Sequence, residues 1–334
     1  MSRIVDELEQ AARKQMKAFI KRMPLATVSV GVTCPEGRRI WTMQGTKVQD
    51  DHTAYRFEIG SVTKVFVATL LAVLVEEGGL RLTDTVGRLV SEVNESSSAA
   101  HVTLQGLATH TSGLPRLPPN LNATMTDKMN PYLNFTERDL LEALKQGQLL
   151  DRNKFIYSNL GFGLLGFILA RVTGGTLDQA IRERITVPLG LVDTDSGEQG
   201  LLPVHSSTGK PIKHWDMNAL AGAGALHSTP SDMLAFLEAN LETKAHAPLA
   251  SAFRLCHGDR SATPVLGWMT KQANRGGRIL WHNGATYGSH SFVGLDTTRQ
   301  IGVAVLVNNG VSIWRLLGLA PMPADQIGMT LLKK

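Results

Sequence analysis

The stretch FEIGSVTKVFVATLLAVLVEEGG, Phe57 to Gly79, decides how the rest of the chain is read. From Val65 to Val75 it is apolar on every side, with Thr69 the one polar residue. That pattern predicts a helix buried all round, and eleven residues are too few to cross a bilayer. At its mouth stand Ser61 and Lys64, a hydroxyl and an amine one turn apart. Lysine is almost never fully buried without a partner, so the pair either caps a helix or is held there for use.

Outward from that helix, the chain has 334 residues, 43% hydrophobic and 19% charged, which is ordinary globular composition with ample length for a core. The net charge of +5 is mild, and no run of five like charges occurs, which argues against a nucleic-acid partner. Cys34 and Cys256 make neither a disulfide framework nor a zinc ligand set. Ten histidines are present without H-E-x-x-H or a close His/Cys cluster, so no metal is expected. The opening MSRIVDELEQAARKQMKAFIKRM places apolar residues at helical spacing among charges, an amphipathic surface helix and no signal peptide. The sequence as given therefore reads as cytoplasmic with no membrane span. A leader removed from a precursor would place it in the periplasm or outside the cell.

LATVSVGVTC (Leu25 to Cys34) and RRIWTMQGT (Arg38 to Thr46), joined across Pro35-Glu36-Gly37, predict a hairpin. Helical signals dominate from Ser61 to about residue 240. FTERDLLEALKQG has Thr136 and Asp139 at capping-box spacing and Gly147 as its stop. GFGLLGFILARVTGG predicts another helix, and PSDMLAFLEANL one capped by Ser231. GRILWHNGA, SHSFVGLD and IGVAVLVNN are three strand-like runs, and ADQIGMTLLKK closes with a short helix. Strands at both ends with helices between predict an α/β (α+β) fold. One antiparallel sheet is built from both termini and flanked by helices (1–60 and 265–334), beside a mainly helical lobe (61–264). Both lobes would belong to one unit, and the cleft between them is a common place for a pocket.

Ser61-Val62-Thr63-Lys64 fits S-x-x-K, a serine nucleophile with a lysine beside it. Roughly one such match is expected by chance in a chain this size, and Ser207-Thr208-Gly209-Lys210 is a second one, in a polar loop. Only at Ser61 does a helix fix the two side chains on one face and leave unpaired N–H groups for an oxyanion. FEIGSVTK with its buried helix resembles the active-site start of the class C β-lactamase and penicillin-binding-protein superfamily, which includes esterase-like members and D-amino-acid peptidases. LATHTSGLP (Leu107 to Pro115), FIYSNLGFGLLG (Phe155 to Gly166), GAGALHSTPSDMLAF and WHNGATYGSHSFVGLD resemble later family segments, in family order.

The resemblance implies a β-lactamase/transpeptidase-like fold and a serine hydrolase working through an acyl-serine, with no cofactor. Ser61, Lys64 and Tyr157 would be catalytic, with Asn159, His282, Asn283, Gly284 and Ala285 binding substrate. Tyr157-Ser158-Asn159 is preferred as the Y-x-N element over Tyr132-Leu133-Asn134, which lies just before another helix. A lysine cation near Tyr157 would lower its phenol pKa from the usual value near 10 and let the two share a proton. Asn159 would offer its amide to a substrate carbonyl. The N–H groups of Ser61 and Ala285 would form the oxyanion hole, with Gly284 letting substrate lie along the strand. Where the lactamases carry Lys-Thr-Gly this chain has His282-Asn283-Gly284, and where they tend to carry a glutamine after the GLP turn it has Arg116 and Leu117. His282, partly charged near neutrality, would hydrogen-bond Tyr157 and shift preference from β-lactams toward small esters or amides. A true β-lactamase or D-amino-acid peptidase is the alternative. A non-catalytic penicillin-binding or sensor protein is another. His110 is read as a residue that fixes its loop.

Overall fold

In the computed structural model, residues 3–50, 55–146, 149–151, 154–241, 247–258, 264–273, 276–316 and 319–334 are described. Strands β1 (Thr27–Cys34), β2 (Gly37–Gln44), β3 (Lys47–Asp50), β4 (Met269–Gln272), β5 (Arg278–Ala285), β6 (His290–Asp296) and β7 (Ile301–Val307) form one sheet. Its order is β3-β2-β1-β7-β6-β5-β4, with every neighbouring pair antiparallel. The first and last strands meet at its centre, Val30 opposite Val305. The sheet built from the two ends of the chain is thus observed.

The central strands β1, β6 and β7 are buried along their whole length, because helices cover both faces. On one face α1 (Arg3–Ile20) and α6 (Pro323–Leu332) set Leu8, Met16, Ile327 and Leu331 against Val28, Phe292 and Val305. On the other, α5 (Pro230–Leu241) sets Leu234 and Leu237 in one core with Ile40, Val293 and Leu306, and Phe66 of α2 (Thr63–Glu76) stacks on Phe236 of α5. Helix α2 is buried continuously from Thr63 to Leu74, as its unbroken apolar sequence predicts.

Two further helices are α3 (Glu137–Gln146) and α4 (Asn159–Thr173), and the second begins at the site. The Thr136 capping box is present. Asp139 Oδ2 accepts from the Thr136 backbone N–H at 2.9 Å, and Thr136 Oγ1 accepts from Asp139 N–H at 3.4 Å. Gly147, expected to stop this helix, lies outside the described residues. Ser231 is not the cap of α5. Pro230 is already the first helical residue, and Thr229 Oγ1 accepts the N–H of Asp232 at 3.2 Å. Strand β4 and the pairs Phe57–Glu58 with His227–Ser228 and Val204–His205 with Pro211–Ile212 were not foreseen, since two to four residues are too few for an alternation to show. Among the described residues no single helix is long and apolar enough to cross a membrane.

Candidate active site

The helix α2 is entered through a 3₁₀ turn, Gly60–Val62, and this turn is pressed against the end of β5. Ser291 Oγ on β6 donates to the Ile59 carbonyl at 2.7 Å, and Ser289 Oγ donates to the Glu58 carbonyl at 2.9 Å. The buried Glu58 carboxylate accepts from Thr286 Oγ1 and from the Trp215 backbone N–H. The approach is close enough to require glycine at two positions. Gly60 has φ +50, and a Cβ there would stand 2.8 Å from the Ala285 nitrogen. A Cβ on Gly284 would stand 2.0 Å from the Ile59 carbonyl oxygen and 2.9 Å from the Ser61 nitrogen. The backbones of Ser61 and of the Gly284–Ala285 strand end therefore share one small volume.

Lys64, in the first turn of α2, is fully buried. Its Nζ lies 3.0 Å from Ser61 Oγ, and it donates to Asn159 Oδ1 at 3.0 Å and to the Ala223 carbonyl at 2.6 Å. No carboxylate pairs with it in these contacts. Burial, with the Arg116 charge adding to it, holds the Lys64 amine well below the ordinary lysine range.

Tyr157 is half-buried beside the same atoms, Lys64 Nζ standing 5.0 Å from the centre of its ring. Burial pushes its phenol up to about 12, against a hydrogen bond with Ser61 and the Arg116 charge, which pull it down. This overturns the expectation of a phenol lowered by a lysine cation: loss of solvent outweighs the neighbouring charges, and the lysine is itself driven toward its neutral form. Asn159 opens α4 behind the Ser158 cap, whose Oγ accepts from Gly161 N–H at 2.8 Å. His110 Nδ1 accepts the Ser158 backbone N–H at 3.1 Å, so His110 fixes the start of α4 as well as its own loop.

His282 does not hydrogen-bond Tyr157. Its Nδ1–H donates to the Asn283 carbonyl at 2.6 Å, its Nε2 has no partner among the described residues, and the two rings stand 6.2 Å apart between centres. Burial, with Lys64 nearby, lowers His282 to about 3, so it is neutral at neutral pH and not partly charged.

Ser61, Tyr157, Asn159, Asn283, Gly284 and Ala285 line one cleft of about 530 Å³, with Lys64 beneath it and His282 buried in the adjoining strand. The eight residues expected to be catalytic or substrate-binding, Ser61, Lys64, Tyr157, Asn159, His282, Asn283, Gly284 and Ala285, thus lie in or beside this one cleft. With that geometry, the match of the β-lactamase family to residues 18–319 covers both the Ser61 turn and the β5 strand. The chain belongs to the β-lactamase family of serine hydrolases.

Within the family, it is 26% identical over 275 residues to "Protein flp" of Staphylococcus aureus, covering 76% of this chain and 53% of that protein. It is also 26% identical over 283 residues to the D-alanyl-D-alanine-carboxypeptidase/endopeptidase AmpH of Escherichia coli K12, covering 75% of this chain and 70% of that one. The chain thus spans about half of the staphylococcal relative. In fold it superposes on a class C β-lactamase from Rhodobacter sphaeroides with TM-score 0.78 and 21% identity, over 96% of this chain and 98% of that chain.

Several cleft residues escaped the sequence reading. Tyr132, set aside as the lesser Y-x-N match, is buried in the cleft wall, where Asn159 Nδ2 donates to its hydroxyl at 3.4 Å. Asn283, foreseen in the cleft wall, also donates to Asp325 Oδ2 on α6 at 2.8 Å, a link that no motif spacing marks. Trp215 and Tyr287 pack edge to face, as do Trp215 and Tyr132, so three aromatic rings line one wall. Among the described residues no group of three or more His, Cys, Asp or Glu is placed to hold a metal.

Proposed function

We propose that the protein hydrolyses small esters or amides through an acyl-Ser61 intermediate. The contact set of Lys64 carries the reading. Two of its three partners, the Asn159 and Ala223 oxygens, can only accept hydrogen bonds. A neutral amine has two N–H groups and one lone pair, so satisfying both oxygens turns the lone pair toward Ser61 Oγ at 3.0 Å. That arrangement makes a base of Lys64 without a carboxylate.

Ser61 Oγ attacks the acyl carbon as its proton moves onto the Lys64 amine. The oxyanion develops against the backbone N–H groups of Ser61 and Ala285. Collapse expels the alkoxide or amine, which takes the proton of Tyr157, and the Lys64 ammonium restores that proton to Tyr157. A phenol near 12 suits the donor half of this exchange, since it stays protonated at neutral pH. Water then attacks the acyl-serine by the reverse route.

Neutral His282 supports esters or small amides over β-lactams, because the strand presents no permanent cation to a β-lactam carboxylate. The test is turnover of a p-nitrophenyl short-chain ester beside a chromogenic cephalosporin, wild type against Ser61→Ala. Ester cleavage that disappears in the variant, with little cephalosporin cleavage, is the expected result. Undiminished ester cleavage by Ser61→Ala would refute the nucleophile. Fast cephalosporin turnover would identify a β-lactamase, and a serine adduct that never turns over would identify a binding or sensor protein.

A further inference from the structure

One buried carboxylate close to the site takes no part in the acyl-transfer steps. Glu58 precedes the Ser61 turn, on the two-residue strand that pairs with His227–Ser228, and is only 3% exposed. Its Oε2 accepts the hydroxyl of Thr286 at 2.9 Å, and its Oε1 accepts the backbone N–H of Trp215 at 2.8 Å. Among the described residues, the basic side chain within ion-pair reach is His214, with Nδ1 3.6 Å from Oε1. Burying a carboxylate is costly unless hydrogen bonds replace its water, and here those bonds are spent on two segments of the cleft. Thr286 directly follows Ala285, and Trp215 belongs to the aromatic wall.

The bonds around Glu58 form a closed set. Thr286 Oγ1 also accepts the Gly288 N–H at 3.1 Å, and the Thr286 N–H donates to the Ser289 carbonyl at 2.9 Å. Ser289 Oγ in turn donates to the Glu58 carbonyl at 2.9 Å. The turn between β5 and β6 is therefore tied to Glu58 through both its side chain and its backbone. On the wall side, Trp215 is held at its other end, where Nε1 donates to the Met129 carbonyl at 2.7 Å. An oxyanion needs the N–H groups of Ser61 and Ala285 aimed at one point, and small displacements of such donors are costly. Glu58 is the side chain that bonds the segment leading into Ser61 to the residue next to Ala285.

We infer that Glu58 is a positioning residue, whose carboxylate keeps the two oxyanion donors in register and holds the Trp215 wall beside them. This rests on the acyl-Ser61 reading above and names what holds that site together. A glutamine of the same shape cannot make the same set of bonds. The Trp215 N–H can only donate, so the amide oxygen must face it. The amide NH2 then meets Thr286 Oγ1, and the Thr286 hydroxyl proton loses its acceptor.

The test uses p-nitrophenyl butyrate as substrate and phenylboronic acid as inhibitor. The boronic acid adds Ser61 Oγ to boron and sets a boron-bound oxygen among the oxyanion donors, a tetrahedral mimic of the transition state. Active serines are counted by the p-nitrophenol released from a p-nitrophenyl phosphonate, and thermal melting verifies folding. Per active serine, Glu58→Gln lowers kcat about tenfold to a hundredfold, with KM within about threefold, and weakens boronic acid inhibition by a similar factor. Thr286→Val does the same, whereas Thr286→Ser, which keeps the hydroxyl, stays within about threefold of wild type. Adding Glu58→Gln to Thr286→Val costs little more, since the bond is already gone. A merely structural role would lower the melting temperature or the number of active serines, while kcat per active serine and boronic acid inhibition stayed at the wild-type values. That result would overturn the inference, and so would losses that multiply in the double variant. Should Glu58→Gln not fold, Thr286→Val and Thr286→Ser decide, and equal boronic acid inhibition in the two overturns it. A wild type that neither cleaves the ester nor binds the boronic acid would refute the hydrolase reading and this inference with it. An active wild type left unchanged by Glu58→Gln would refute this inference alone.

Discussion

Two segments of this chain carry the same four-residue spacing of serine and lysine, and they have nothing else in common. At Ser61 the pair straddles a 3₁₀ turn and the first turn of a buried helix, and Lys64 is closed off from solvent with three oxygens around its amine. At Ser207 the pair lies in the turn between Val204–His205 and Pro211–Ile212. There the Ser206 N–H donates to the Lys210 carbonyl, Ser206 Oγ accepts the Lys210 N–H, and the Lys210 side chain is exposed. Burial without a carboxylate partner holds the Lys64 amine well below the ordinary lysine range, as a base requires. The chemistry lies in the burial, and the spacing only makes the burial possible.

The sharpest way to break this contrast is at the lysines themselves. Lys64→Met removes the base, and kcat/KM on a p-nitrophenyl ester falls about a thousandfold. Lys210→Met leaves it within about twofold, since it alters only an exposed turn. Comparable losses at both positions, read in the same assay, would end the distinction.

The second segment is expected to matter for stability instead. His290 Nδ1–H donates to the Asn309 carbonyl, and Asn309 Nδ2 donates to the His205 and Ser206 carbonyls, so a buried histidine anchors the loop that carries Ser207. Burial lowers His290 to about 4 from an ordinary value of 6.5. Between those values the unfolded chain binds the extra proton, so stability falls as pH drops from 6.5 toward 4, and His290 accounts for about 3 kcal/mol of that loss. His290→Gln should flatten the fall of the melting temperature across this window while costing some stability at pH 7. A slope identical to wild type would show that His290 is not buried in its neutral form.

How much of this was legible follows from the kind of signal each residue leaves. The sheet from both termini and the buried helix were readable, because they rest on apolar runs of seven or more residues, and the order of the site segments was readable from the family resemblance. Tyr132 was not, since its distance from Asn159 along the chain says nothing about their meeting in the cleft wall. Nor were the protonation states of Tyr157 and His282. The sequence shows a lysine nearby, but only the fold shows that loss of solvent outweighs it. Ser231 was displaced as a cap by two residues, because Thr229 and Ser231 flank Pro230 and both have the right hydroxyl.

The smallest effect sharpens the first segment further. Tyr132→Phe removes a hydroxyl that accepts from Asn159, loosening the residue that also holds Lys64. Ester kcat should fall about threefold to tenfold, the worth of one ordinary hydrogen bond. A loss as large as that of Lys64→Met would instead place Tyr132 among the groups that move protons.

The most direct test of the account is mass spectrometry of the protein quenched during turnover of a p-nitrophenyl ester, with the acylated peptide located by fragmentation. The account predicts one acyl increment on the peptide containing Ser61, absent from Ser61→Ala. An increment on the Ser207 peptide, or one that persists in Ser61→Ala, would contradict it.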